Sequence, residues 1–188
     1  GLPTGITYNI VGTTLTISGT PSGVAANQEF AYTIQPVNDT TGCTGNSLGG
    51  TITVNADGEL TSTSGNTDQK RCEGETIEPI NLTLAGGATG VVISANTAAT
   101  VTAGNVLSTD LSWMNISTSG TSVTITGTPS ADITQTTEYA YTVTTTGSSC
   151  TDDELQGTVT VNPTPKVIYD VSSGSINQTI CEGDTTGI

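Results

Sequence analysis

Thr121-Ser122-Val123-Thr124-Ile125-Thr126-Gly127-Thr128-Pro129-Ser130 carries the fold in miniature. Val123 and Ile125 fall on one face of an extended chain and the hydroxyl-bearing residues on the other, the period-two pattern of a half-buried strand. Gly127 then relaxes the backbone, and Pro129, which has no N–H to give, ends ladder pairing. The same alternation recurs downstream. Tyr139, Tyr141 and Val143 align in Glu138-Tyr139-Ala140-Tyr141-Thr142-Val143-Thr144, and Gly157-Thr158-Val159-Thr160-Val161 runs until Asn162-Pro163 stops it. Threonine, valine and isoleucine carry two heavy substituents on Cβ, which stiffens them and suits a pleated surface. Strong helix formers are scarce, and no segment sustains helical periodicity. Short strands separated by Gly, Asn, Asp and Pro clusters predict an all-β chain folded as an antiparallel sandwich.

The chain also repeats itself. Ile17-Ser18-Gly19-Thr20-Pro21-Ser22 returns as Ile125 to Ser130, an offset of 108. Phe30-Ala31-Tyr32-Thr33-Ile34 returns as Tyr139 to Val143 at 109, Thr51-Ile52-Thr53-Val54-Asn55 as Thr158 to Asn162 at 107, and Cys72-Glu73-Gly74-Glu75 as Cys181 to Asp184 at 109. Four matches within two residues of one period define a unit of about 108 residues, the size of an immunoglobulin-like sandwich. If units end at the Thr-(Ile/Val)-Thr-Val-Asn strand, residues 1–55 are the C-terminal half of one unit, 56–162 a complete unit and 163–188 the start of a third. The fold class expected is therefore all-β, as tandem immunoglobulin-like antiparallel β-sandwich repeats, and the chain reads as a piece of a longer array. Asn162-Pro163-Thr164-Pro165 looks like a stiff joint between units.

Composition narrows the function. Of 188 residues, 41 are threonine, 17 serine and 23 glycine, with 3 Lys+Arg against 17 Asp+Glu and no histidine. Without histidine there is no Ser-His-Asp or Cys-His machinery and no His-ligated metal. Three cations make no phosphate-binding stripe, so nucleic acid is excluded as a partner. Apolar runs are too short for a membrane span, and no basic, apolar leader is present, so any signal peptide is expected outside these residues. The acids sit scattered over loops without a recurring close pair, so no glycosidase-like constellation forms and the chain is expected not to be an enzyme.

Cysteines come two per unit, one at the opening (Cys72, Cys181) and one near the close (Cys43, Cys150). Recurrence at fixed phase argues for disulfides and an oxidising, extracellular compartment. A unit stapled to itself duplicates without depending on a neighbour, which favours Cys72 with Cys150, leaving Cys43 and Cys181 to pair outside the chain. Cys43 with Cys72 and Cys150 with Cys181 would tie neighbours instead. Among carboxylates, Asp152, Asp153 and Glu154 are the calcium candidates, with Asp57-Gly58-Glu59 a second acidic cluster at a unit junction. Both are set against the plainer reading of a solvated acidic loop, since neither has EF-hand spacing and the first has no acidic counterpart at Thr44-Gly45-Asn46. No other cofactor is expected. Trp113, Phe30, Tyr32, Tyr139 and Tyr141 read as core rather than as a ligand platform. Asn38, Asn81, Asn115 and Asn177 open Asn-x-Ser/Thr sequons.

Taken in order, Cys-x-Gly, Gly87-Ala88-Thr89-Gly90-Val91, Gly1-Leu2-Pro3-Thr4-Gly5-Ile6-Thr7, Ile-Ser-Gly-Thr-Pro, Tyr-x-(Ile/Val), a late Cys and Gly-Thr-(Ile/Val)-Thr-Val-Asn-Pro resemble the tandem repeats of SprB-type cell-surface adhesins of gliding Bacteroidetes. Leu111-Ser112-Trp113-Met114 stands where the earlier unit has Leu2-Pro3-Thr4-Gly5, a departure from the pattern. The resemblance implies a very large filamentous protein exported by type IX secretion, carried along the cell surface by the gliding machinery and gripping the substratum or its polysaccharide. These residues would then be non-catalytic stalk whose steady partners are neighbouring repeats. It also gives meaning to Asp39-Thr40-Thr41 and Asp184-Thr185-Thr186, which match an O-glycosylation pattern of that group with Thr40 and Thr185 as acceptors. The alternative is a spacer or carbohydrate-binding module of a secreted polysaccharide-degrading enzyme, which needs exposed aromatic rows.

Overall fold

A computed structural model describes residues 1–38, 40–64, 66–167, 177, 179 and 181–183. Thirteen strands follow one another among these residues: β1 (Ile6–Val11), β2 (Thr14–Gly19), β3 (Gln28–Ile34), β4 (Leu48–Val54), β5 (Gly58–Ser62), β6 (Gln69–Cys72), β7 (Ile80–Gly86), β8 (Gly90–Ala95), β9 (Val106–Leu107), β10 (Met114–Ser119), β11 (Ser122–Gly127), β12 (Thr137–Thr146) and β13 (Glu154–Asn162). No described residue is helical, as the scarcity of helix formers predicts.

Two sheets enclose the main core. One has the order β10-β11-β7-β5, all antiparallel. The other has the order β6-β13-β12-β8, with β6 parallel to β13 and the short β9 parallel to β12. Lettering β5, β7, β8, β10, β11, β12 and β13 as A to G turns these into an A-B-E-D sheet facing a C-F-G sheet, the strand order of an immunoglobulin-type sandwich. Leu60, Ile80, Leu82, Leu84, Val123 and Ile125 from the first sheet meet Tyr139, Tyr141, Val143, Val159 and Val161 from the second, and Ile77 closes the group. Val123 and Ile125 are both 0 % exposed, so the alternation that announces β11 is the alternation that fills the core. Burying each such side chain contributes about 1.5–3 kcal/mol. Trp113 packs at the margin, its ring 5.3 Å from Tyr139 in an edge-to-face contact, as a core aromatic should.

The two hairpins ahead of this core, β1-β2 and β3-β4, reproduce its pairings in detail. Tyr32 faces Gly50 as Tyr141 faces Gly157, and Phe30 faces Ile52 as Tyr139 faces Val159. Tyr8 faces Ile17 as Ile116 faces Ile125. In both Tyr–Gly pairs the ring lies over the glycine so closely that a Cβ there would meet the Tyr32 ring at 2.6 Å and the Tyr141 ring at 2.5 Å. Only glycine fits beneath it, which accounts for both repeats using the same odd pair. The difference lies in burial. Tyr8, Ile10, Val11 and Leu48 are exposed, and a cleft of about 1270 Å³ opens between the hairpins, lined by Leu15, Ile17, Tyr32 and Ile34 among others.

Candidate functional site

The candidates gather at the two ends of the main sandwich: an entry end, where Asn55 leads into β5, and an exit end, where β13 finishes at Asn162.

At the entry end the acidic loop is a backbone clamp. Asp153 Oδ2 accepts the Leu60 N–H at 2.9 Å and Oδ1 accepts the Glu154 N–H at 2.9 Å. Asp152 Oδ1 accepts the buried Thr145 hydroxyl at 3.2 Å, and the same Thr145 Oγ1 accepts the Asp153 N–H at 2.8 Å. Glu154 accepts the Thr144 hydroxyl, and Asp57 Oδ1 accepts the Thr151 N–H at 3.1 Å. The calcium candidates Asp152, Asp153 and Glu154 thus each serve a protein donor. Among the described residues no cluster of three or more acidic or thiol side chains is arranged to hold a metal ion. Asn27, from the hairpin region, reaches across to accept the Ala56 N–H at 2.9 Å, which anchors the entry into the sandwich.

At the exit end lies a polar notch of about 250 Å³ lined by Lys70, Thr102, Asn105, Thr136, Glu138, Thr160 and Asn162. Its centre is Glu138, only 6 % exposed. The carboxylate accepts the Thr102 N–H at 3.3 and 3.4 Å and the Asn105 side-chain amide at 2.5 Å. Donation from Thr102, then from Asn105, and the attraction of Lys70 hold the carboxyl below the ordinary glutamate value, against burial, which pushes it up. Glu138 therefore pins the long connection between β8 and β10 onto β12. The residue did not stand out in the sequence, although a signal was there: Glu29 precedes Phe30 as Glu138 precedes Tyr139.

Gln69 and Tyr141 do similar work inside. The Gln69 side-chain amide donates to the Asn66 and Glu78 carbonyls and accepts the Glu78 N–H, each at 2.9 Å, and so substitutes for a missing stretch of ladder. Arg71 pairs with Glu78 at 2.9 Å. The Tyr141 hydroxyl donates to the Thr67 carbonyl at 2.7 Å, and burial, followed by the Asp68 charge, pushes that phenol well up. The repeated Cys-Glu-Gly-Glu motif is a turn. Gly74 sits at φ +74°, and Glu75 Oε2 accepts the Cys72 N–H at 2.9 Å.

The expected Cys72–Cys150 bridge does not survive the structure. Cys43, Cys72 and Cys150 are free and exposed. Cys72 lies opposite Asn162 at the exit end, whereas Cys150 precedes Glu154 at the entry end, its thiol 3.5 Å from the Asn55 carbonyl. Between them runs β13, nine residues long, so the two ends stand about 26 Å apart at about 3.3 Å per residue. A disulfide needs Cα atoms within about 7 Å. Of the modification candidates, Thr40 is exposed on the connection between β3 and β4, and its N–H donates to Asn38 Oδ1. Asn38, Asn81, Asn115 and Asn177 are likewise exposed. Thr185 and most of the segment 163–188 lie outside the described residues.

No protein-family model matches the chain, and no curated protein matches it. Among solved structures, domains 4 and 5 of the S-layer protein SbsC align over 81% of this chain and 84% of that one, with 15% identity and a TM-score of 0.35. A likeness that faint carries no functional argument.

Proposed function

We propose that residues 56–162 are one complete unit of a tandem array, that 1–55 close the unit before it and 163–188 open the unit after it, and that the array is a non-catalytic stalk on the cell surface. The stalk belongs, on this reading, to a very large filamentous adhesin of the SprB type, exported by type IX secretion and carried by the gliding machinery. The observation that carries the reading is the identity of cross-strand register in the two copies, down to the Tyr32–Gly50 and Tyr141–Gly157 pairs. Independent units stacked along a chain add length domain by domain, which suits a filament. The formal charge of -14 supports mutual repulsion of neighbouring filaments. The sugar-binding alternative is poorly served: among the described aromatics Tyr8 is the exposed ring, and a single ring is no platform.

An antibody raised against this chain is expected to label intact cells along extended surface filaments, and deleting the array is expected to abolish attachment or spreading on a solid substratum. Label confined to permeabilised cells, or unchanged attachment after deletion, would overturn the reading. Binding of the chain to a glycan array would transfer support to the alternative.

A further inference from the structure

We infer that a disulfide crosses each junction of the array, joining the opening cysteine of one unit to the closing cysteine of the unit that follows. The inference rests on the tandem-array reading and is independent of the adhesive role.

Both halves of the junction are visible in this chain, at different ends of one sandwich. At the exit end Cys72 lies beside Asn162 in the parallel β6–β13 register, and the adjoining Glu73 N–H donates to the Asn162 carbonyl at 2.9 Å. At the entry end the Cys150 thiol donates to the Asn55 carbonyl at 3.5 Å. Asn55 and Asn162 occupy the same position of the repeat. A unit entering after Asn162 as the present one enters after Asn55 therefore brings its closing thiol to the carbonyl that Glu73 already holds. Two exposed cysteines then flank one asparagine, one from each unit, within the reach of a disulfide.

On this arrangement no two cysteines of the present chain are partners. Cys43 lies between β3 and β4, the place Cys150 holds between β12 and β13, so Cys43 and Cys150 are closing cysteines one unit apart. Cys72 and Cys181 are opening cysteines one unit apart. The partner of Cys72 belongs to the unit after Asn162 and the partner of Cys150 to the unit before Ala56. The free, exposed thiols of Cys43, Cys72 and Cys150 are what such an arrangement requires.

Formation needs an oxidant, here a protein or small-molecule disulfide. One thiolate attacks it to give a mixed disulfide and release a thiol. The second cysteine then displaces the other thiol, so the two protein thiols lose two electrons and two protons to the disulfide that is reduced. The product ties consecutive units together on both sides of the joint and limits how far they twist or separate under load.

The test uses the chain with residues 56–162 present three times in succession between 1–55 and 163–188, oxidised with glutathione disulfide beside the unextended chain. Expected are two disulfides and four free thiols in the extended chain, and four free thiols in the unextended one. Cys72→Ser in the first copy should remove one bridge, and Cys72→Ser in the third copy should remove none. A bridge lost on changing the third copy, three bridges, or no bridge between folded copies would overturn the inference. Folding is read separately from Trp113 fluorescence and hydrogen exchange. Copies that fail to bury Trp113 would sink the array reading itself.

Discussion

Replacing Tyr141 with phenylalanine removes one oxygen and leaves the ring in place over Gly157. The side chain is 0 % exposed, and its hydroxyl gives its proton to the Thr67 carbonyl at 2.7 Å, across from the β5–β6 connection to β12. Nothing else donates to that carbonyl among the described residues, so the variant leaves a half-buried acceptor without its partner. Losing a neutral hydrogen bond and stranding one partner costs about 1–3 kcal/mol. For a sandwich of this size each kcal/mol lowers the melting midpoint by about 4–8 °C. Trp113 is the sole tryptophan and sits against Tyr139, so its fluorescence in a urea titration reports this core alone. The urea midpoint should fall by that energy divided by the slope, with the slope itself unchanged. Tyr32→Phe is the control: the same ring stands over Gly50, yet among the described residues its hydroxyl has no carbonyl to meet, and the Trp113 transition should not move. Equal and small effects from both variants would refute the assignment of Thr67 as the anchor.

Asp153→Ala strands the Leu60 N–H and is expected to cost about 1–3 kcal/mol in the same titration, whereas millimolar calcium should leave the wild-type midpoint unchanged because the loop carboxylates already serve protein donors. Glu138 gives a signed pH effect. Its folded carboxyl titrates below the ordinary value of 4.5, so between the two values the unfolded chain binds more protons. The stabilisation is full above about pH 5 and is lost as pH falls through the lower folded value. Glu138→Gln should therefore flatten the acid limb of a stability–pH profile, and a parallel profile would contradict the role. Gly157→Ala, which drives a methyl into the Tyr141 ring and the Thr67 carbonyl, should lower the Trp113 midpoint by more than Tyr141→Phe does, as measured by thermal melting.

The all-β class, the strand-by-strand alternation and the period of about 108 residues are local or near-local properties, and each was legible from the residues alone. Period two places Val123 beside Ile125 and Tyr139 beside Tyr141 whatever they pack against. Which cysteine approaches which is not local. The nine residues of β13 carry the chain from one end of the sandwich to the other, and that strand parts Cys72 from Cys150 although both belong to one unit. The role of Glu138 is not local for a related reason, since it comes from Thr102 and Asn105 on a connection far away in sequence. Burial is the plainest case. Ile17 and Ile125 stand in the same motif, in the same register, on equivalent strands. Ile125 is fully buried because β7 lies beside it and the second sheet covers it, while Ile17 faces the open cleft. The pattern of residues determined which face of each strand is apolar. Only the tertiary structure decided whether that face found a cover, because burial depends on strands brought from elsewhere in the chain and not on the strand that carries the pattern.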